Sequence, residues 1–382
     1  MKKIVVIGAN EFQKKLVIKA NNMGYETHVF AWEEGALAKE EAHFFYPISI
    51  TEKEQIISLV NNIKPVAICS IASDLAILTV NYIANELGLV ANSLECTELT
   101  TNKFKMRNVL KKNGLPCPKY QLVKDVKDID FMSLEFPLII KPIDRSGSRG
   151  IYKVDNIEKA KEAIQNAQKV SFVQEILVEE FIEGKEYSVE YISENGKHKF
   201  LQITEKFTTG SPNFIEKGHL SPARLDKNKK DDIIAIVKKS LNVLKVQNGA
   251  SHSEVKITSN GEIKIIEIAA RMGGDFIGSD MVYISTGFDF LKNTIKVAVG
   301  EKIDFNYPTN GKISLVKFIF DNYDKEKFKL LKELYPNVIK EYEIKTHLNT
   351  VNDSSSRNGY YILEVPNEEI LSHILEILDM EY

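Results

Sequence analysis

Asn260-Gly261 stands between two runs of alternating residues, 253–259 and 262–269. Asn-Gly favours the positive φ angles of a type I′ turn, so the pattern predicts a β-hairpin with a two-residue loop. In that register Ser259 pairs with Glu262, and Glu254 comes directly opposite Glu267. Facing Cβ atoms in such pairs are only ~5 Å apart. Two carboxylates so placed repel, and one should have a raised pKa unless a cation lies between them. A hard divalent cation resolves the repulsion, Mg2+ bridging nucleotide phosphates being the usual case. Ala269 and Arg271 follow Glu267 at period two and share its face, where the planar guanidinium of Arg271 can hold an anion. A three-residue turn would break this register. The competing reading is a solvated sheet face with Lys256 neutralising its neighbours. Glu267 argues against it, because it sits inside the apolar run 263–270.

Residues 138–151 read LIIKPIDRSGSRGI. An apolar strand delivers Lys141, and a small basic loop follows: Arg145, Ser146, Gly147, Ser148, Arg149, Gly150. A lysine at a strand end beside a loop of backbone amides is suited to holding phosphates. The order is not that of a P-loop, because the lysine precedes the glycines. The plainer alternative is a basic surface hairpin. Residues 178–190, VEEFIEGKEYSVE, pass from an apolar strand through an acidic, Gly-containing turn into another strand. Backbone groups of such a connection can read an adenine edge, and a carboxylate can accept from ribose hydroxyls. Acidic turns are common, so this stretch carries meaning only beside the others.

The chain has 382 residues, more than one compact core organises, so two or three domains are expected. Residues 1–95 alternate strands (3–7, 27–31, 66–71) with helices (16–23, 51–60, 75–87). Thr51 and Glu54 suggest a capping box, and Gly88 a helix end. The alternation implies a parallel, doubly wound sheet. The first turn, Gly8-Ala9-Asn10-Glu11-Phe12, has one glycine where a dinucleotide fingerprint needs three. This region therefore reads as a scaffold for a substrate pocket, not an NAD site. Residues 96–305 carry the chemistry. They begin with a helical stretch over 94–114 containing Lys103, Lys105 and Arg107, and include an amphipathic helix in which Ile157, Ala160, Ile164 and Ala167 share a face, capped by Asp155 or Asn156. Residues 306–382 mix strands at 313–320 and 360–364 with a helix capped near Asn367, a small α+β lobe.

A net charge of −3 provides no global attraction for nucleic acid or an anionic membrane. Cys69, Cys96 and Cys117 form no CxxC pair, which fits a reduced cytoplasmic setting without disulfides or zinc. No run approaches the ~18–20 apolar residues needed to span a bilayer, and residues 4–7 are too few for a signal segment.

Taken in order, Lys103, Lys141 with its SGSRG loop, EEFIEGKE, Glu254 and EIAARMGG resemble the ATP-grasp superfamily of carboxylate–amine ligases. The resemblance covers residues 100–300, and the flanking regions are similar to that superfamily's outer domains. It implies an α/β and α+β fold with three parts. These are a doubly wound N-terminal domain over 1–95, an ATP-grasp module over 96–305 with a lid at about 120–180, and a closing lobe over 306–382. It implies that Lys103 and Lys141 contact ATP phosphates and that Ser146, Gly147, Ser148 and Gly150 form a flexible loop over them. Glu179, Glu180, Phe181 and Ile182 would contact adenine, largely through backbone, and Glu186 would bind ribose. Glu254 and Glu267 would be ligands of Mg2+, or of Mn2+ in its place. Arg271 would stabilise an acyl phosphate or the transferring phosphoryl group. Many members carry E-x-N-x-R; here Ala269 replaces the asparagine, so a second metal has fewer protein ligands.

Residues 212–222, PNFIEKGHLSP, and the run Arg271-Met272-Gly273-Gly274-Asp275 resemble the L-amino acid ligases, the dipeptide-forming branch. That places His219 near the substrate; a lone histidine is otherwise a satisfied structural residue. The implied reaction is ADP-forming carbon–nitrogen ligation of a small-molecule carboxylate and an amine, in a superfamily where homodimers are common. Two alternatives stand beside it: a bicarbonate-using carboxylase or carbamoyl-phosphate-synthase-like enzyme, and a non-catalytic ATP-binding scaffold. The joint presence of Glu254, Glu267 and Arg271 argues against the scaffold.

Overall fold

The computed structural model describes residues 1–145, 149–211 and 214–380. Strands β1 (Lys3–Ile7), β2 (Glu26–Phe30), β3 (Phe44–Tyr46) and β4 (Ala67–Cys69) form a parallel sheet in the order β3-β2-β1-β4. Both faces of β1 are buried, as parallel strands require. Ile4 and Val6 pack with Leu16 and Val17 of α1 (Glu11–Asn22). Val5 and Ile7 pack with Ile56 and Val60 of α2 (Lys53–Ile63) and Val80 of α3 (Asp74–Glu86). The expected capping box does not form. Glu52 occupies the N-cap position of α2 without a side-chain cap, and the Thr51 hydroxyl bonds that of Ser49 instead.

The stretch over 94–114 is two helices, α4 (Leu94–Thr101) and α5 (Lys103–Lys112), not one. Asn102 is the break. Its backbone is extended (φ −98°, ψ 107°), and its side chain accepts from the Lys105 amide at 3.0 Å. One residue thus ends a helix and caps the next. Beyond it, β5 (Tyr120–Val123), β6 (Leu138–Pro142), β7 (Tyr152–Val154) and β8 (Ile176–Glu180) form an antiparallel sheet in the order β5-β8-β6-β7. Helix α6 (Ile157–Val170), capped by Asn156, covers one face with Ala160, Ala163, Ile164 and Ala167. Ile157, expected on that apolar face, is half exposed at the helix start.

An eight-stranded antiparallel sheet follows, in the order β13-β12-β9-β10-β11-β14-β16-β15. Its strands are β9 (Lys185–Glu194), β10 (Lys197–Thr208), β11 (Glu216–Ser221), β12 (Gly249–Ile257), β13 (Ile263–Ala269), β14 (Ile313–Phe318), β15 (Ile339–Ile344) and β16 (Gly359–Val365). Strands of the last region thus continue the central sheet across the β11–β14 pairing. Helix α7 (Lys227–Val243) packs on it through Ile233, Val237 and Leu241. After the short α8 (Val282–Thr286), α9 (Phe290–Ala298) inserts Leu291 and Ile295 among the core residues of α1. Helices α10 (Asn322–Leu334) and α11 (Glu368–Ile377) cover β14 and β16. No helix among the described residues is long and apolar enough to cross a membrane.

The hairpin that joins β12 to β13 differs from expectation in its turn. The Gly261 amide donates to the Thr258 carbonyl at 2.9 Å, and the Thr258 amide donates to the Glu262 carbonyl at 3.0 Å. Ser259, Asn260 and Gly261 therefore make a three-residue loop, with Gly261 at φ +83° as that loop type demands. Near the turn the pairing is one residue off, Val255 facing Ile265. A β-bulge then leaves Ile266 as an extra residue, and beyond it Glu254 faces Glu267. The two deviations cancel.

Candidate active site

The first layer of the site is a buried ion cluster between the smaller antiparallel sheet and α5. Lys141, near the end of β6, places Nζ 2.6 Å from Glu179 Oε2 on β8. Arg107 of α5 bonds the other carboxylate oxygen through Nε and the bulge carbonyl of Ile266 through Nη2, at 2.6 Å. Arg107 is wholly buried. Burial pushes the Glu179 carboxyl up, but Arg107 and Lys141 outweigh it and hold it below the usual range. Burial lowers the Lys141 ammonium, and Glu179 recovers only part of the loss. Lys103, the first residue of α5, donates to Glu267 Oε1 at 2.8 Å and to the Arg145 carbonyl at 2.6 Å. Gly150 has φ +73°, and a Cβ there would lie 2.7 Å from the Val170 side chain of α6, both of which favour glycine.

The second layer is built on β9, β10, β11 and β12. Lys206 Nζ lies 2.6 Å from both Glu186 and Glu254 and 3.8 Å from Glu216. Burial alone would lower its pKa, but the three carboxylates raise it well above the usual lysine value. The repulsion expected between the facing carboxyls is relieved by cations at the site. Burial raises Glu254, and Lys206 and His252 then pull it well below the usual range. Each of the facing carboxylates has its own lysine: Glu254 has Lys206 and Glu267 has Lys103. His252 bonds Glu190 on the neighbouring strand and approaches Glu254 at 3.6 Å. Burial lowers His252, but Glu190 and Glu254 push it up to about 9. Gly273 packs against this pair; a Cβ there would lie 2.6 Å from His252 Nδ1.

The third layer joins the regions. Arg271 forms a bidentate pair with Asp74 at the start of α3, at 2.7 and 2.8 Å. Asp275 is held bidentately by Arg357 and lies 3.3 Å from His219 Nε2. The Arg357 guanidinium also stacks 3.5 Å from the Phe318 ring centroid.

Two cavities meet here. A narrow cleft of about 180 Å³ is lined by Lys103, Lys141, Glu179, Glu180, Phe181, Ile182, Glu186, Glu254 and Glu267. A larger cavity of about 540 Å³ runs toward the N-terminal sheet and includes His219, Asp275 and Arg357. Lys206, Glu216, His252, Glu254 and Arg271 line both. The cleft thus gathers the lysines, residues 179–182, Glu186 and both glutamates that the sequence pointed to. Glu179 enters it as a buried counter-ion to Lys141. Ser146, Gly147 and Ser148 lie outside the described residues, as do Pro212 and Asn213. Among the described residues no three His, Cys, Asp or Glu side chains form a metal cage. Glu254 and Glu267, two facing carboxylates beside two lysines, suit a cation whose remaining ligands are phosphate oxygens and water.

Sequence reading missed Lys206, His252, Asp74 and Arg357. Lys206 had a signal, a lysine within the apolar strand pattern of residues 201–207. Asp74 and Arg357 had none, since each meets its partner only through the tertiary fold.

Residues 134–280 match the family described as "ATP-grasp domain". The alanine–anticapsin ligase of Bacillus subtilis (strain 168) is 30% identical over an aligned length of 212, gaps included, a match that covers 49% of this chain and 44% of that protein. The carbamoyl phosphate synthase large chain of Thermoanaerobacter pseudethanolicus is 24% identical over 266 residues, 68% of this chain and 24% of that one. In both matches the chain spans less than half the length of the relative. The crystal structure of an L-amino acid ligase from Bacillus licheniformis superposes with a TM-score of 0.83 at 21% identity, covering 99% of this chain and 97% of that one. Residues 134–280 thus match the ATP-grasp domain family, and the chain as a whole has the ATP-grasp fold.

Proposed function

We propose that the protein is an ATP- and magnesium-dependent ligase that joins the carboxylate of one amino acid or similar compound to the amine of another. One observation carries this reading. Lys206, Glu216, His252, Glu254 and Arg271 form a common wall between a cleft suited to phosphates and a larger cavity suited to an organic substrate. Only a shared wall lets a phosphoryl group pass from one occupant to the other. The cavity's 540 Å³ also supports organic substrates over bicarbonate, which would fill a small part of it.

In this reading ATP lies in the cleft, with its adenine along residues 180–182 and its phosphates against Lys103 and Lys141. Magnesium, held by Glu254 and Glu267, would neutralise phosphate charge. A substrate carboxylate oxygen attacks the γ-phosphorus, and the bond to ADP breaks. The amine then attacks the acyl carbon, phosphate leaves, and the amine proton passes to the released phosphate or solvent. The chain mainly positions and neutralises. Arg271, fixed by Asp74, supports the transferred phosphoryl group, while His219 and Arg357 face the substrate side. Exclusion of water is needed, since an acyl phosphate otherwise hydrolyses.

The test is Glu267→Ala in a phosphate-release assay with saturating ATP, magnesium and amino acids. Turnover should fall by roughly 10²-fold or more, while the variant keeps its fold by circular dichroism. Unchanged turnover would remove Glu267 from the metal assignment.

A further inference from the structure

The N-terminal end of the larger cavity holds features that the ligase reading leaves unused. The carboxyl ends of β1, β2 and β4 open there, the usual place for a ligand in a parallel α/β sheet. Its wall includes Gly8, Gln13, Ala31, Trp32 and Ala72. Trp32 is the chain's single tryptophan and is 50% exposed. An exposed indole on a cavity wall offers a flat apolar face to an occupant.

Gln13 is 1% exposed. Its Nε2 donates to the Ile71 carbonyl and to the Ser70 hydroxyl, the latter at 3.3 Å. A carbonyl can only accept, so the amide has one orientation. Its Oε1 is buried and meets no donor. Such an acceptor is unfavourable until something supplies a hydrogen. Gly8 borders the Gln13 side chain. The Gly8 amide donates to the Phe30 carbonyl at 2.8 Å, two residues before Trp32. A Cβ on Gly8 would lie 3.3 Å from the Gln13 side chain. His219, also on the cavity wall, has Nδ1 as a second buried polar atom without a partner.

We infer that this end of the cavity receives the side chain of an amino-acid substrate, and that the preferred class is a planar ring bearing an O–H or N–H donor. The ring lies against Trp32, and its donor satisfies Gln13 Oε1. The inference rests on the ligase reading for the reaction that follows binding, but not for the binding itself.

Tyrosine and phenylalanine, which differ by one hydroxyl, are the probes. Two measurements are made on the full chain: kcat/KM for phosphate release with ATP and magnesium, and the change in Trp32 fluorescence, excited selectively, without ATP. Tyrosine should exceed phenylalanine by about tenfold or more in kcat/KM, and Gln13→Met should close the gap. Tyrosine should alter Trp32 emission saturably, at lower concentration than phenylalanine. Equal kcat/KM for the two, or a gap that survives Gln13→Met, overturns the inference. Should Gln13→Met fail to fold, Trp32→Ala at its exposed position decides. It should raise KM for tyrosine several-fold and leave KM for ATP unchanged; an unchanged KM for tyrosine overturns the inference. If no amino acid releases phosphate, the ligase reading fails, while a saturable fluorescence change favouring tyrosine still supports the pocket.

Discussion

Lys206 sits where three carboxylates would otherwise repel one another, and its own charge survives burial only because they surround it. It bridges Glu186 and Glu254, and so draws the walls of the cleft together. Removing one member of such a buried set leaves uncompensated charge. Lys206→Met should therefore lower unfolding free energy by about 3 kcal/mol in urea titrations. Because the variant leaves Glu186 and Glu254 without their shared cation, millimolar magnesium should raise its melting temperature more than that of the parent chain. Equal shifts in both would mean that Lys206 and a divalent cation do not compete for Glu254. Reading the sequence identified the two glutamates but not the lysine that neutralises one of them.

At the scale of elements, the positions that matter are set by small interruptions. Asn102 breaks the helical stretch so that Lys103 opens α5, with its amine between Glu267 and the Arg145 carbonyl. Asn102→Ala should cost about 1 kcal/mol of stability and raise KM for ATP several-fold. Asn102→Asp, which keeps the cap, should restore both values. If Asn102→Ala left nucleotide affinity intact, the break would serve the helix alone. Interruptions of this kind also decide what was legible. The strands at 3–7, 27–31 and 66–71 and the helices that alternate with them follow from periodicity, whereas the short strand Phe44–Tyr46 was not read from the sequence. The pairing of Glu254 with Glu267 was read from a two-residue turn that is in fact three residues long, and it holds because the bulge at Ile266 compensates. The same effect hid Lys206. Extending the Glu194–Lys197 pairing along the β9–β10 hairpin would set Lys206 opposite Lys185, but a bulge between Phe200 and Gln202 shifts it opposite Glu186. Bulges depend on twist and packing across a whole sheet, so local pattern does not announce them.

Across the whole molecule, ion pairs link regions far apart in sequence. Asp74 meets Arg271, Asp275 meets Arg357, and Lys15 of α1 reaches both Asp280 and Glu341 of β15. These contacts were invisible in the sequence because each needs two separately folded parts to be in place. Near Lys15, Glu11 carries a penalty. Burial raises its carboxyl, and the Glu343 and Glu341 charges add to the rise, against a hydrogen bond from Tyr360. The folded pKa thus lies above the usual 4.5, and between these two values the folded chain holds a proton that the unfolded chain releases. Its contribution to stability is greatest below pH 4.5 and is lost as pH rises through the folded value. Glu11→Gln should therefore raise the unfolding midpoint at pH 7 and leave it unchanged at pH 4 and below. A gain of equal size at both pH values would assign the effect to something other than titration.

The central claim is that the common wall of the cleft and the cavity couples ATP cleavage to joining two amino-acid-like substrates. The direct measurement is phosphate release from ATP and magnesium with and without pooled amino acids, followed by mass spectrometry of the products. The account predicts that phosphate appears only when amino acids are present, in step with ADP and with a species having the mass of two amino acids less one water. Phosphate release that ignores amino acids, or that requires only bicarbonate, would contradict it.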